Sequence, residues 1–171
     1  MISFRNVVGY LEKIASNHQE IHSFHSGMLD EVDINKLGAE DYDILYAEPG
    51  NVTINQGVLT YSFTIYVMDM INDEVGPSSQ EVFGDVSNRQ RLGRVDTYSE
   101  TLNIIQDVIA EFKHSLTTQS WVDGEVVLEL PITAEPFTAR FNNLLTGWSA
   151  TINIDVNNKN NLCIAPITAN S

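Results

Sequence analysis

Three arginines in a short stretch form the densest basic group in this sequence. Arg89, Arg91 and Arg94 are three of the nine basic residues and alternate with glutamine, leucine and glycine. Arginine forms paired hydrogen bonds with carboxylates and contacts phosphates, so the segment fits docking onto an acidic patch of a neighbouring copy or contact with nucleic acid. A solvated loop is the third interpretation. The surplus of carboxylates favours a protein partner, and we take the three arginines as candidates for an assembly interface.

Three histidines form a second group with a suggestive spacing. His18, His22 and His25 lie four and three residues apart. On one continuous helix they would share a face, where imidazole nitrogens could bind zinc. The helical pattern fades before Gly27, however, and no fourth ligand is obvious. The spacing therefore favours histidines at a helix end and in a loop, without a bound metal.

Motifs of catalysis are otherwise missing from the sequence. Asp69, Asp73 and Glu74 could hold a divalent ion or act as acid and base, but no histidine or lysine partner is obvious, which favours a solvated loop. Cys163 lies in a polar tail without an activating neighbour. The chain has no glycine-rich phosphate loop, GxSxG, HExxH or CxxC motif. We therefore predict a protein that is not an enzyme and needs no cofactor.

The overall charge is strongly acidic. In 171 residues, 23 acidic against 9 basic residues give a formal net charge of −14. Such a chain is a poor general binder of nucleic acid, because phosphate binding needs clustered lysine and arginine. The charge serves solubility or keeps DNA off a surface. No apolar run approaches the about 20 residues of a membrane span, and the N-terminus does not resemble a signal peptide, so we expect no membrane partner and synthesis in the cytoplasm.

Apolar periodicity predicts two helices. The first covers Phe4–Asn17, with a stripe at three-to-four spacing and Ser3 as N-cap. The second is expected over residues 98–115, where Thr97 and Glu100 have the spacing of a capping box. Between the strands and this helix we expect a long loop over residues 71–95, which carries the three arginines.

Period-two alternation predicts the strands. The clearest one is Val58–Met70, whose second face changes from threonine and serine to Tyr66 and Met68, so that face should be solvated at one end and covered at the other. The fold class that follows is α+β, an antiparallel sheet of four to five strands with two amphipathic helices packed on one face. A single domain is expected over residues 1–156 and a polar tail over 157–171. Further strands are predicted at residues 44–48, before a turn at Pro49 and Gly50, and at 52–54, 126–132 and 148–156.

The core should form where the apolar faces of these elements meet. The predicted core residues are Leu59, Tyr61, Phe63, Ile65, Leu102, Ile105, Ile109, Phe112, Ile152 and Ile154.

Five segments of strand and helix character carry a family resemblance. They are YDILYAEP at 42–49, TYSFTIYVMD at 60–69, SETLNIIQDV at 99–108, PFTARF at 136–141 and LTGWSATI at 145–152. These segments resemble the neck and tail-completion proteins of tailed bacteriophages. They are similar to the small virion proteins that form rings between portal and tail, including tail terminators and the ring proteins of crAss-like phages. The resemblance extends over about residues 40–156.

The resemblance implies a structural virion protein of the head-to-tail connector or tail. It would form a homo-oligomeric ring of six or twelve copies around the channel through which DNA leaves the capsid. Its partners would be further copies of itself and neighbouring portal, neck or tail proteins, with DNA passing through without specific binding. Its location would be the virion, and the host cytoplasm during assembly. Two other classes stay open: a non-catalytic adaptor or regulator of a host complex, and a small enzyme.

Overall fold

The fold is a single mixed sheet with two helices packed on it. A computed structural model describes residues 2–28, 42–70, 86–117, 126–140 and 145–158. The predicted α+β class is confirmed. The elements in chain order are α1 (Phe4–Asn17), β1 (Ser23–Ser26), β2 (Ile44–Ile54), β3 (Val58–Met70), α2 (Val86–Thr117), β4 (Val126–Leu128), β5 (Ala134–Arg140) and β6 (Leu145–Asn157).

The sheet has more strands than the sequence pattern predicted. Its order is β1-β2-β3-β6, and the outer edge of β6 pairs with both β4 and β5. All pairs are antiparallel except β1 with β2. β1 has four residues, too few for a clear period-two pattern. The single strand expected over residues 126–132 ends at Leu128, because Pro131 cannot donate to a ladder, and a separate β5 follows.

The helix α1 forms as the sequence predicted. The Asn6 backbone N–H donates to Ser3 Oγ at 3.3 Å, and the Ser3 backbone N–H donates to Asn6 Oδ1 at 2.9 Å, so the N-terminus is capped reciprocally. The stripe of Val7, Leu11 and Ile14 is buried against the sheet. The burial of this stripe explains why the helix is stable at 14 residues.

The β2–β3 hairpin differs from the prediction on one strand. The turn expected at Pro49 and Gly50 is wrong, because β2 continues through both residues. A register shift between Pro49 and Val52 absorbs them as a bulge, one of the places where a strand tolerates proline. The reversal at residues 55–57 is confirmed, with Gly57 at φ +85° and the Asn55 N–H donating to the Val58 carbonyl at 2.9 Å.

The helix α2 begins twelve residues earlier than predicted. It starts at Val86, so the expected loop is wrong for residues 86–95, and its remainder lies outside the described residues. The predicted capping box is also wrong, since Thr97 lies inside the helix and its carbonyl accepts from Thr101 Oγ1 at 2.6 Å. Five of the ten residues at 86–95 are arginine, glutamine or leucine, which are good helix formers, and one interior glycine, Gly93, costs only about 1 kcal/mol.

The helices and one face of the sheet enclose the main core. Seven of the ten predicted core residues are buried, and Leu59, Leu102 and Ile109 are partly buried against the same cluster. Phe4 is 39% exposed, although its ring stacks on Phe63 with centroids 5.1 Å apart. The periodicity of the sequence therefore located the core correctly, with its weaker members at the rim.

The other face of the sheet is divided, as the β3 pattern predicted. At one end Tyr46, Tyr66 and Met68 are buried in a second apolar cluster, where the Tyr66 ring lies 5.9 Å from that of Phe137. At the hairpin end, the threonines and serine of β3 are only partly buried. Just after β6, the Asn158 N–H donates to the Gly57 carbonyl at 2.9 Å. Residues 159–171 of the predicted tail lie outside the described residues.

Candidate functional site

The three candidate arginines lie on the first turns of α2. Their backbone is helical, and Arg91 and Arg94 stand at i, i+3 spacing. Among the α2 side chains that the structure describes, which start at Val95, the first buried one is Thr101, and Val95 itself is 51% exposed. We call residues 86–97 the helical arm. At 1.5 Å per residue, this arm is about 18 Å long.

A polar and aromatic anchor fixes the point at which the arm leaves the sheet. Trp148 Nε1 donates to the Tyr98 carbonyl at 2.8 Å, and the Tyr98 hydroxyl donates to the Phe137 carbonyl at 3.2 Å. The rings of Tyr98 and Trp148 meet edge to face at 5.9 Å. α2 is held here and again at Phe112, and its helical backbone extends back from Tyr98 to Val86.

The hairpin end of the second sheet face is polar and carries only acidic charge. Cross-strand pairs place Thr60 beside Asp155 and Ser62 beside Asn153, and Asn153 Nδ2 donates to Glu129 Oε2 at 2.9 Å. Among the described residues of this sheet face, the one basic residue is Arg140, which pairs with Leu145 of the second apolar cluster at the other end. We call this surface the open acidic face. Its carboxylates belong to Glu48, Glu129 and Asp155, whereas Glu135 pairs with Ser149 on the row of buried Tyr66.

Two carboxylates meet at the opposite end of the sheet. Ile44 pairs with Met68, so the next residues, Asp43 and Asp69, are neighbours across the same two strands. Burial, then the charges of Asp69 and Glu100, raises the pKa of Asp43 to about 6. Burial also raises the pKa of Asp69, although the Met70 backbone N–H donates to Asp69 Oδ1 at 2.6 Å. We call this pair, with His22, the acidic corner.

The histidine of the acidic corner contacts the backbone of Asp43. The Asp43 backbone N–H donates to His22 Nδ1 at 3.2 Å, and the His22 backbone N–H donates to the Asp43 carbonyl at 2.9 Å. This contact joins the start of β1 to the start of β2. Sequence analysis recognised Asp69 but missed Asp43, because only the strand register brings the two together.

The three histidines do not converge. His18 follows α1 and lies 3.6 Å from Asp107, His22 contacts Asp43, and His25 is on β1. Within the described ranges, no three histidine, cysteine or carboxylate side chains are grouped closely enough to hold a metal ion. Asp73, Glu74 and Cys163 lie outside the described residues.

A gap that borders both helices offers no room for a small ligand. This gap is apolar and too small to admit a water molecule. It is a packing defect between the helices and the sheet. Its lining includes Leu11, Ile65, Val108, Phe112 and Leu128.

Comparisons with family models and with curated sequences return no match. No model of a known protein family matches the chain, and no curated protein sequence matches it significantly. Among the helices that the structure describes, none is both long and apolar enough to cross a membrane. The helical arm, the open acidic face and the acidic corner are therefore the observations on which function is argued.

Proposed function

We propose that this protein is a structural, non-enzymatic virion protein of a tailed bacteriophage. It forms a homo-oligomeric ring of six or twelve copies in the head-to-tail connector or tail, and joins portal or neck proteins to the tail around the DNA channel. The resemblance of residues 40–156 to neck and tail-completion proteins supports this function. The structural observation that carries it is the helical arm, which has no apolar stripe for the core of its own chain.

The buried stripe of α2 becomes polar in the arm. It passes through Thr101, Ile105 and Phe112 in the packed part of the helix. Continued backwards in steps of three and four residues, the same stripe falls on threonine, arginine, glutamine and serine at positions 97, 94, 90 and 87. Most helical stability in proteins comes from packing of one face, so contact with another chain would stabilise the arm.

The net negative charge of the chain supports a ring that surrounds DNA without binding to it. A net charge of −14 repels phosphate, and a ring of such subunits would let the duplex slide through its channel. The same charge makes copies repel each other, so the ring needs local attraction at each contact. Arginines on the arm can supply that attraction by pairing with carboxylates of the next copy.

The test is the assembly state of the purified full-length chain. Sedimentation velocity and negative-stain electron microscopy should detect closed rings with an open centre. The variant R89S/R91S/R94S should dissociate them while its melting temperature stays close to that of the wild type. Raising the salt concentration should act in the same direction, because the Debye length at physiological ionic strength is only about 8 Å.

A matched control removes the same charge elsewhere. The variant R5S/K13S/K113S loses three exposed basic residues from the packed parts of the helices and should assemble like the wild type. A wild-type chain that stays monomeric and binds an unrelated protein would instead identify an adaptor of a host complex. Turnover of a substrate at the acidic corner would identify an enzyme.

A further inference from the structure

We propose that the outer edge of β2 at residues 52–54 pairs with the same edge of a second copy in an antiparallel, two-fold contact. We call Val52, Thr53 and Ile54 the hairpin edge. The contact extends the sheet of one copy into that of the other. It goes beyond the proposed ring and does not depend on it, because a two-fold contact uses the same surface on both copies, whereas a ring contact uses two different ones.

Strand β1 covers only the first part of β2. It pairs with residues 44–47 and then leaves the sheet, because the backbone turns at Gly27, with φ +138°, and the Met28 carbonyl accepts from the Tyr46 hydroxyl at 2.9 Å. In the part of the chain that the structure describes, no strand pairs with the outer edge of β2 beyond that point. The hairpin edge is therefore available to another chain.

The backbone of the hairpin edge directs unpaired groups outward. The Asn55 N–H donates to the Val58 carbonyl at 2.9 Å, so the backbone groups of Asn55 are directed at β3. These groups alternate in direction along an antiparallel strand, and no register shift follows Val52, so the N–H and C=O groups of Val52 and Ile54 are directed away from β3. An edge strand with such groups is a template for pairing with another strand.

Charge selects a second copy as the occupant of this edge. Residues 49–68 contain no charged side chain, and this is the longest such run in a sequence with a net charge of −14. Two copies therefore repel each other over most of their surfaces and least where their hairpins approach. Nucleic acid is a poor occupant, because the hairpin edge offers no lysine or arginine to its phosphates.

The hairpin edge is complementary to itself. An antiparallel pairing centred on Thr53 sets Val52 of each copy opposite Ile54 of the other. The outward N–H and C=O groups of the two copies then bond in reciprocal pairs. Residues directly opposite each other share a sheet face, and all three residues are β-branched, which favours the pairing of strands.

The contact also covers apolar surface that a single copy exposes. Val52 pairs with Tyr61 of the main core, so Val52 and Ile54, two residues further, lie on the sheet face that carries the helices. These two side chains are 44% and 62% exposed. Phe4, whose ring centroid lies 6.0 Å from that of Tyr61, is also exposed. Across the two-fold axis, these side chains from both copies form one apolar patch, and its burial favours the dimer.

A cysteine at the two-fold axis tests the pairing directly. In a Cys163→Ser background, Thr53→Cys sets two sulphur atoms opposite each other at a pair without backbone hydrogen bonds, where the Cα atoms are about 4.5 Å apart. This distance permits a disulfide. Mild oxidation should therefore convert most of the chain into a covalent dimer on a non-reducing gel.

Thr60→Cys in the same background is the matched control. Thr60 pairs with Thr53 on the same sheet face, but it lies one strand further from the edge. Its counterpart in the second copy would be three strand spacings away, about 14 Å, which is too far for a disulfide. This variant should stay monomeric on the same gel.

Charge variants test the register of the pairing. V52D/I54D sets like charges opposite each other, and so does V52K/I54K. Each variant alone should raise the dissociation constant of the dimer about tenfold or more in sedimentation equilibrium. Mixed in equal amounts, the two variants set opposite charges face to face, and dimers should form again. Because both positions are exposed, circular dichroism should give each variant the wild-type melting temperature within a few degrees.

The outcomes separate this contact from the proposed ring. If Thr53→Cys forms no more disulfide than Thr60→Cys, the two-fold contact is wrong, while the proposed function stands. The same conclusion follows if the mixture of charge variants stays dissociated. A cross-linked dimer of a chain that never forms closed rings supports the contact and counts against the proposed function. A wild-type chain that never self-associates would overturn both proposals.

Discussion

Replacing Asp43 by asparagine should make the protein more stable at neutral pH. The Asp43 side chain is half-buried and lies across from Asp69. Burial and the negative charge of Asp69 both make the ionised carboxylate of Asp43 less favourable. Asparagine keeps the shape and removes the charge. The backbone contacts of residue 43 with His22 do not depend on the side chain, so they should persist.

The size of the effect follows from the pKa of Asp43, which burial and the charge of Asp69 raise from 3.8 to about 6. At 1.36 kcal/mol per pKa unit, this difference corresponds to about 3 kcal/mol. Solvent reaches much of the carboxyl and screens it, so we expect about 1–1.5 kcal/mol. For a chain of this size, that is a rise in melting temperature of about 2–6 °C.

The sign of the pH dependence is fixed by the raised pKa. The folded state binds the proton of Asp43 more tightly than the unfolded state does. The contribution of Asp43 to the free energy of unfolding is therefore fully present below pH 3.8 and is lost as the pH rises through about 6. Asp43→Asn should therefore exceed the wild type in unfolding free energy at pH 7.5, and the difference should vanish near pH 4.

Urea unfolding of both proteins at pH 7.5, 6, 5 and 4 measures this difference directly. Exposed Glu12 on α1 gives a matched control, and Glu12→Gln should change the unfolding free energy little at any of these pH values. A loss of stability in Asp43→Asn at pH 7.5, or a gain that persists to pH 4, would refute the electrostatic reasoning.

The remaining predictions concern packing and metal. Phe112→Ala should lower the unfolding free energy by about 3–5 kcal/mol, because the ring is buried between the helices and the sheet. Ile109→Ala should lower the unfolding free energy by less, since Ile109 is only partly buried. Gly147→Ala should lower the melting temperature strongly, because the new Cβ would lie 1.9 Å from the Val67 carbonyl oxygen. The control Gly9→Ala lies on α1 with free space around it and should be neutral or stabilising. Treatment with a chelator should leave the melting temperature and assembly unchanged, and zinc retained through dialysis would contradict the absence of a metal requirement.

The structure supports the sequence-based predictions most closely where local periodicity was strong. α1 has the predicted bounds, β3 has the predicted bounds, and the change of character along the second face of β3 is present. The arm was misread as a loop because its stripe is polar, and without an apolar stripe a helix and a loop look alike in sequence. Pairing between distant strands left no local signal, so neither the parallel β1 nor the neighbours of the open acidic face could be predicted.

The sequence by itself determined the α+β class, the core positions and the concentration of arginine on an acidic chain, since these depend on composition and short-range spacing. Only the tertiary structure decided that the arginines lie on a helix continuous with α2, and that this helix is anchored at one end of the sheet. The antiparallel register likewise placed Asp43 beside Asp69 and gathered Glu129 with Asp155. The physical reason is that the pairing register of two strands brings together residues that are far apart in the chain. That register is selected by the burial of a whole sheet face rather than by any single residue.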